Sequence, residues 1–173
     1  MDKVKAFGRE LLESVLPALV IVLVVNVFVA QATRVEGQSM EPTLHNNERL
    51  IIEKLSYRFH DPEAGDIVVI KRSSGVGEPL IKRIVATPGQ TVEIKDGAVS
   101  VDGVSLDEPY LDQATWGKMS PLTVPEEHLF VLGDNRRASN DSRSFGVISY
   151  QQVIGRAWVR YWPLGTVGSV VAE

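Results

Sequence analysis

The 173-residue chain has no cysteine, which excludes disulfides, thiol nucleophiles and cysteine-ligated zinc. That absence does not fix the compartment, because cysteine-free proteins occur on both sides of a membrane. Histidine is scarce: only His45, His60 and His128 are present, none at helical i, i+4 spacing from another, and each reads as a surface or turn residue. A Ser/His/Asp triad therefore has little to be built from, and no metal site is expected. Basic charge is not in excess either. The formal net charge is -4 and the sequence pI near 5.4, with no basic patch of the kind nucleic acid requires, so DNA and RNA are excluded as partners. No HExxH, GxSxG or P-loop pattern occurs, and the glycine-containing SSGVGEP stretch at 73–79 lacks the P-loop lysine and reads as a turn. Internal repeats and low-complexity segments are missing, and nothing in the chain calls for a cofactor.

What is present is a foldable composition, 44% hydrophobic and 23% charged, with one long apolar run near the start. Val15 to Ala32, VLPALVIVLVVNVFVAQA, carries no formal charge over 18 residues. As a single helix it would reach about 27 Å, close to the ~30 Å hydrocarbon core of a bilayer. Pro17 lies near its start, where a helix tolerates proline best. Lys3, Lys5 and Arg9 precede the run and Arg34 follows it, so the positive-inside rule puts the N-terminus in the cytoplasm and the chain after Thr33 outside. A buried core helix would show a polar face, and this run is apolar all round. A cleaved secretory signal is the stronger rival, since the basic start and the small-x-small Ala30-Gln31-Ala32 triplet both suit it. The length of the run, beyond the usual 7–15 residue signal core, favours an anchor.

After Thr33 the pattern is that of strands. Arg49–Leu55, Ile67–Lys71, Leu80–Ala86, Thr91–Lys95, Ala98–Val101, Leu129–Leu132 and Val153–Trp162 are the candidates. Asp96-Gly97 and Asp102-Gly103 are hairpin signals, and turn-rich stretches at 60–66, 73–79 and 87–90 separate other strands. A short helical turn is expected at Ser149–Gln152, and Asp112–Leu122 reads as a surface loop. Short, closely spaced strands indicate an all-β sandwich or barrel, with one domain boundary near Thr33: residues 1–33 as N-terminus and anchor, 34–173 as the β domain.

Adjacent carboxylates at Asp107-Glu108 and Glu126-Glu127 sit in polar stretches and read as solvated. Two other segments stand out. One is Gly37-Gln38-Ser39-Met40-Glu41-Pro42-Thr43-Leu44, which begins just past the apolar run. The other runs from Gly133 to Gly146, GDNRRASNDSRSFG, and crowds ionisable and hydroxyl side chains directly after the strand-like HLFVL. By composition alone this second segment reads equally well as a turn, because Asn, Asp and Ser favour turns.

Together these segments resemble the bacterial type I signal peptidases, a family of Ser/Lys-dyad serine proteases, in their compact single-anchor branch. Ser39 to Leu44 resembles the family's S-M-x-P-T-L motif. Lys82-Arg83-Ile84-Val85-Ala86 followed by Pro88-Gly89 resembles its lysine segment. Gly133 to Gly146 resembles its G-D-N-R-x-x-S-x-D-S-R-x-x-G motif, and Gly65-Asp66-Ile67-Val68 a further segment. The resemblance implies a mainly β, open barrel-like catalytic domain after one transmembrane helix, with no metal and no cofactor. It implies Ser39 as nucleophile, Lys82 as general base, Ser139 as the hydrogen-bonding partner that orients the lysine, and Asp134, Arg83, Asp141 and Arg143 as ion pairs holding the site's shape. In larger members a second serine two residues before the nucleophile helps bind the oxyanion. Here that position is Gly37, which leaves the Ser39 backbone N–H and an unnamed second donor. The eukaryotic endoplasmic-reticulum branch has histidine where this chain has Lys82, which excludes it.

A lysine deprotonates serine only when neutral, so its pKa must fall from ~10.4 toward ~7–8, and apolar Leu80, Ile81, Ile84 and Val85 would supply the desolvation. Ser39 follows Thr33 by only six residues, which puts it near the outer bilayer surface, where a secreted preprotein presents its cleavage site. The expected activity is removal of signal peptides after Ala-x-Ala-type sites. The partners are secreted preproteins and the lipid bilayer, the location a single-pass plasma-membrane anchor, and Ala30-Gln31-Ala32 makes the chain a candidate substrate of itself. The alternatives are a processing peptidase for one dedicated substrate and a non-catalytic, membrane-tethered β binding domain. A self-cleaving repressor would need a DNA-binding domain where this chain has its apolar run.

Overall fold

The structure, a computed structural model, describes residues 2–72 and 77–170, with side chains from Glu13 onward. Most of the 73–79 turn, and the side chains of Lys3, Lys5 and Arg9, lie outside the described residues. Helix α1 spans Asp2–Val24 and continues as a π-helical turn, Val25–Val29. Twelve strands follow among the described residues: β1 Ala30–Arg34, β2 Arg49–Glu53, β3 Ile67–Ile70, β4 Leu80–Ala86, β5 Thr91–Lys95, β6 Ala98–Val101, β7 Val104–Ser105, β8 Met119–Thr123, β9 His128–Leu132, β10 Ile148–Ser149, β11 Val153–Trp162 and β12 Gly168–Ser169. Between β9 and β10 lies the one-turn helix α2, Ser142–Phe145.

The 18-residue apolar run is thus not one helix. Its last three residues, Ala30 to Ala32, are strand, with Ala30 opposite Glu53 and Ala32 opposite Ile51 of β2. Among the described residues no helix is long and apolar enough to cross a membrane. The break has a local cause: β2 offers an unpaired edge to which the chain adds once the helix ends. The boundary drawn after Thr33 therefore falls inside β1, and the sheet starts at Ala30.

The larger sheet runs β1-β2-β11-β3-β4-β9-β10, with β12 on the side of β11, and the smaller runs β7-β6-β5-β8. All described pairings are antiparallel, and register shifts in β11 bend the larger sheet into a curled half-barrel. Ile67 and Val69 pack into the cluster of Met40, Leu44, Leu50 and Ile52, while Val68 and Ile70 pack with Ile84, Leu129 and Val131. A strand buried on both faces needs no polar alternation, which is why β3 reads as an unbroken IVVI. Phe130 and Leu132 of β9 face Val92, Ile94 and Val99 of the small sheet, joining the two layers.

Two hairpins form where Asp-Gly predicts them. Asp96 and Gly97 have φ of 51° and 85°, and Asp102 and Gly103 have 53° and 80°, both residues of each turn in the left-handed region a type I′ turn requires. The expected loop at Asp112–Leu122 is corrected in its second half, because Met119–Leu122 belongs to β8 and pairs with β5. Pro121 hid that strand; proline is tolerated there because β8 is the edge of its sheet.

Gly155 of β11 lies close against β2: a Cβ there would overlap the Glu53 carbonyl and the Ile52 side chain. Gly155→Ala is expected to lower stability by about 1–3 kcal/mol through overpacking. A drop in thermal midpoint of several degrees relative to wild type checks this, and an unchanged midpoint would contradict it.

Candidate active site

Ser39 lies in the turn that links β1 to β2. Gly37 opens the turn with φ of 83°, a conformation that a side chain would strain, and its N–H donates to Asn46 Oδ1 at 3.1 Å. The side chains that follow Ser39 anchor the turn: Met40 and Leu44 are almost wholly buried against the sheet, each worth about 1.5–3 kcal/mol of burial. The Ser39 carbonyl accepts the Asn135 N–H at 3.0 Å, while its own N–H has no acceptor among the described residues.

Lys82 lies on β4 between β3 and β9, opposite Val68, and is 1% exposed. Its ammonium donates to Ser39 Oγ and to the Ile81 carbonyl, both at 2.7 Å. Burial is the main force on its pKa and lowers it to about 8, against the opposing pull of the Asp141 and Asp134 carboxylates, with Arg72 helping to lower it. A lysine so placed spends much of its time neutral near pH 8 and can take a proton from the hydroxyl it touches.

The Gly133–Gly146 segment closes around this pair. Gly133 follows β9 directly, and a Cβ on it would overlap both the Ser39 carbonyl oxygen and Ser139 Oγ. Only glycine lets the three come together. Ser139 Oγ is buried without a hydrogen-bond partner among the described residues. The bond from Ser139 to Lys82 that the resemblance implies is not made; Nζ bonds to Ser39 and Ile81. Asp134 and Arg83 form a buried pair, with Nε to Oδ1 at 2.9 Å and the second guanidinium nitrogen to Oδ2 at 2.7 Å. Burial works against the Arg83 charge, but Asp134 together with Tyr110 and Glu108 outweighs it and raises the pKa. Asp141 caps α2 and pairs with Arg143 at 2.8 Å through both oxygens, while its Oδ2 also accepts the Gly133 N–H. Gly65 and Asp66 join the framework. The Gly65 carbonyl accepts from Arg83, and Asp66 accepts from Tyr57 and Arg156.

One further assembly was not legible in the sequence. Arg136 is buried and bonds to Glu108, Thr115 and the Gly133 carbonyl. Glu108, read above as a solvated acid, is instead paired in the interior, and also accepts from Tyr110 at 2.7 Å. The Tyr110 ring lies 3.9 Å from the Arg83 guanidinium carbon, which connects the two buried pairs. Arg136 stands inside the motif and was available as a signal; Glu108, 28 residues away on an irregular loop, carried none.

A groove of about 260 Å³ leads to Ser39, lined by Ala32, Thr33, Val69, Leu80 and Ile81 and rimmed by Glu36 and Glu78. One side of it is β1, whose outer edge is unpaired among the described residues because β2 is its only neighbour there.

Residues 8–162 match the family described as signal peptidase, peptidase S26. The chain belongs to this family. It is 41% identical to a probable signal peptidase I-2 of Synechocystis over 164 residues, 92% of this chain and 75% of the relative. It is 32% identical to signal peptidase IB of Staphylococcus aureus over 176 residues, 90% of this chain and 91% of the relative. A crystal structure of a signal peptidase I from Enterococcus faecalis superposes with a TM-score of 0.50 at 35% identity, covering 56% of this chain and 97% of that one. The fold is that of a signal peptidase I, and the activity is that of a serine protease that removes signal peptides from preproteins.

The depressed Lys82 pKa sets a pH dependence. Below about pH 8 the folded protein carries a buried charge that the unfolded chain would solvate freely. That cost is present at low pH and is relieved as pH rises through the folded value toward 10.5. Activity that needs neutral lysine is expected to rise about tenfold per pH unit below pH 8 and level off above it. Measuring kcat/KM from pH 6 to 10 checks this; a flat profile below pH 8 would contradict it.

Proposed function

We propose that Ser39 is the nucleophile and Lys82 the general base of this signal peptidase. The observation that carries the reading is the 2.7 Å contact between Ser39 Oγ and a lysine whose burial holds its pKa near 8. Lys82 takes the hydroxyl proton as Oγ attacks the scissile carbonyl, then passes it to the departing amine; water later cleaves the acyl-enzyme with the same base. The free Ser39 N–H is one oxyanion donor, and Gly37, without a side chain, adds none. Ser139, buried and unsatisfied, orients the lysine once it is neutral. The Arg83–Asp134 and Arg143–Asp141 pairs keep the surrounding loops from shifting.

The same reading assigns residues 15–29 as a membrane anchor, with the N-terminus in the cytoplasm and the β domain outside. Supporting it are the large apolar side chains that the helix leaves exposed, among them Leu19 at 60%, Ile21 at 62% and Leu23 at 63%. Fifteen helical residues reach about 22 Å, a mismatch that local thinning of the bilayer absorbs. Substrate lies in the groove as an added strand along the free edge of β1. Ala at the first and third positions before the cut then faces shallow pockets, while the residue between points to solvent. The lining of the groove by Ala32, Val69 and Ile81 beside Ser39 is the feature that supports this selection. The Ala30–Ala32 triplet of the chain itself is tied into β1, which protects it from cleavage.

Ser39→Ala is expected to lower kcat by about four orders of magnitude or more. Lys82→Arg should be as inactive as Lys82→Ala, because guanidinium stays protonated. Steady-state cleavage of a synthetic signal-peptide substrate measures both, and turnover surviving in either Ser39→Ala or Lys82→Arg would overturn the assignment.

Specificity has its own test on a panel of precursors with the cleavage products sequenced. Leu or Phe at either outer position should cut kcat/KM by at least about a hundredfold, and the same change between them by less than about tenfold. Comparable losses at all three positions would refute the strand-addition geometry.

A further inference from the structure

A cleft larger than the groove at Ser39 lies elsewhere among the described residues. It measures about 570 Å³, within the range of small-ligand sites, and lies where the apolar helix meets the β domain. Its wall includes Val27 of the helix, the cations Lys54, Arg58 and Lys71, and the aromatic rings of Tyr57 and Tyr150. None of the three cations is in an ion pair among the described residues. Lys54 donates only to the carbonyl of Asn26, at 2.9 Å, and Arg58 stacks 5.5 Å from the ring of Phe28, so both charges rest on the end of the apolar helix. Beside Arg58, Phe59 is 82% exposed. Asp61 also lines the cleft, and it acts on Tyr150 together with Glu126 and Glu127.

We propose that this cleft binds the headgroup phosphate of an anionic phospholipid in the leaflet surrounding the helix end. The inference rests on the anchor reading given above. Lys54, Arg58 and Lys71 against the single carboxylate of Asp61 leave the cleft net positive, which attracts a phosphodiester, and the Tyr150 hydroxyl suits a polyol headgroup. Val27 and Phe28 lead from the cleft onto the exposed apolar helix, the path acyl chains would follow. Basic side chains at a membrane surface each favour an anionic lipid by about fivefold. A lipid held here would fix the height of the β domain over the bilayer, and with it the height of Ser39 over the membrane-inserted precursor.

The test uses the full chain in neutral detergent, with lipid adducts counted by native mass spectrometry. Phosphatidylglycerol should bind about tenfold or more in preference to phosphatidylcholine. Lys71→Gln should lower that preference about fivefold, and the triple variant Lys54→Gln, Arg58→Gln, Lys71→Gln should abolish it. Cleavage of a soluble peptide, unchanged in both, verifies that they fold; if the triple variant does not, the Lys71→Gln shift decides. Equal binding of the two lipids by wild type, or an undiminished preference in the folded variants, would overturn the proposal. Inorganic phosphate in large excess should not displace the lipid; full displacement would reassign the site to a free anion. Flotation of the full chain with pure phosphatidylcholine vesicles at alkaline pH tests the anchor separately. Failure to float there, with the lipid preference intact in detergent, would remove the anchor and leave the headgroup site.

Discussion

Lys82 is a long cationic side chain enclosed almost completely by protein, and the architecture around it follows from what that enclosure demands. An ammonium taken out of water is costly unless it gives up its proton or finds acceptors. Here it has two, a hydroxyl and a carbonyl at 2.7 Å. The burial that makes the lysine expensive is what makes it a usable base at moderate pH. The sheet supplies this through β3 and β9 on either side of β4, so reactivity of the site and packing of the core are not separable.

The Gly133–Gly146 segment holds that arrangement in register. It leaves β9, contacts the Ser39 turn through Asn135, and sends Arg136 into the loop before β8. Its buried ion pairs are weak evidence for stability, because desolvation offsets much of their attraction. Their value is geometric: each guanidinium–carboxylate fork tolerates one orientation, and the two forks that bond to Gly133 leave little freedom to the residues that face Ser39. Gly133 is the point where these constraints meet. Its N–H is held by Asp141, its carbonyl by Arg136, and the space where its Cβ would be is occupied by two serines.

The helix end and β1 couple this site to its surroundings. The chain passes from exposed apolar helix to sheet edge within a few residues, and that edge borders the groove at Ser39. A substrate arriving from a bilayer would meet an unpaired strand edge in line with its own exit from the membrane. Lys54 and Arg58 at the same junction form no ion pair among the described residues.

Much of this was readable from local sequence. The apolar run at the start, most strand segments, both Asp-Gly hairpins and the three motifs that mark the family are patterns of neighbours, and neighbours along the chain are what sequence displays. Val153–Trp162 and Leu80–Ala86 begin and end where their residues predict, because burial on one or both faces leaves a strong periodic trace. What pairing and packing decided was not visible. The apolar run ends as strand because the edge of β2 captures Ala30–Ala32, and β8 forms in spite of Pro121 because an edge strand can spare an N–H. Glu108 became interior because Arg136, distant in sequence, required a carboxylate there. Residue types and motif spacing determined which chemistry the chain can carry. Only the tertiary structure decided that Ser39 and Lys82 touch, that the lysine is dry enough to titrate near pH 8, and that Ser139 Oγ has no hydrogen-bond partner among the described residues. The physical reason is that desolvation and hydrogen bonding depend on what surrounds a group in space, and a linear order of residues does not specify that.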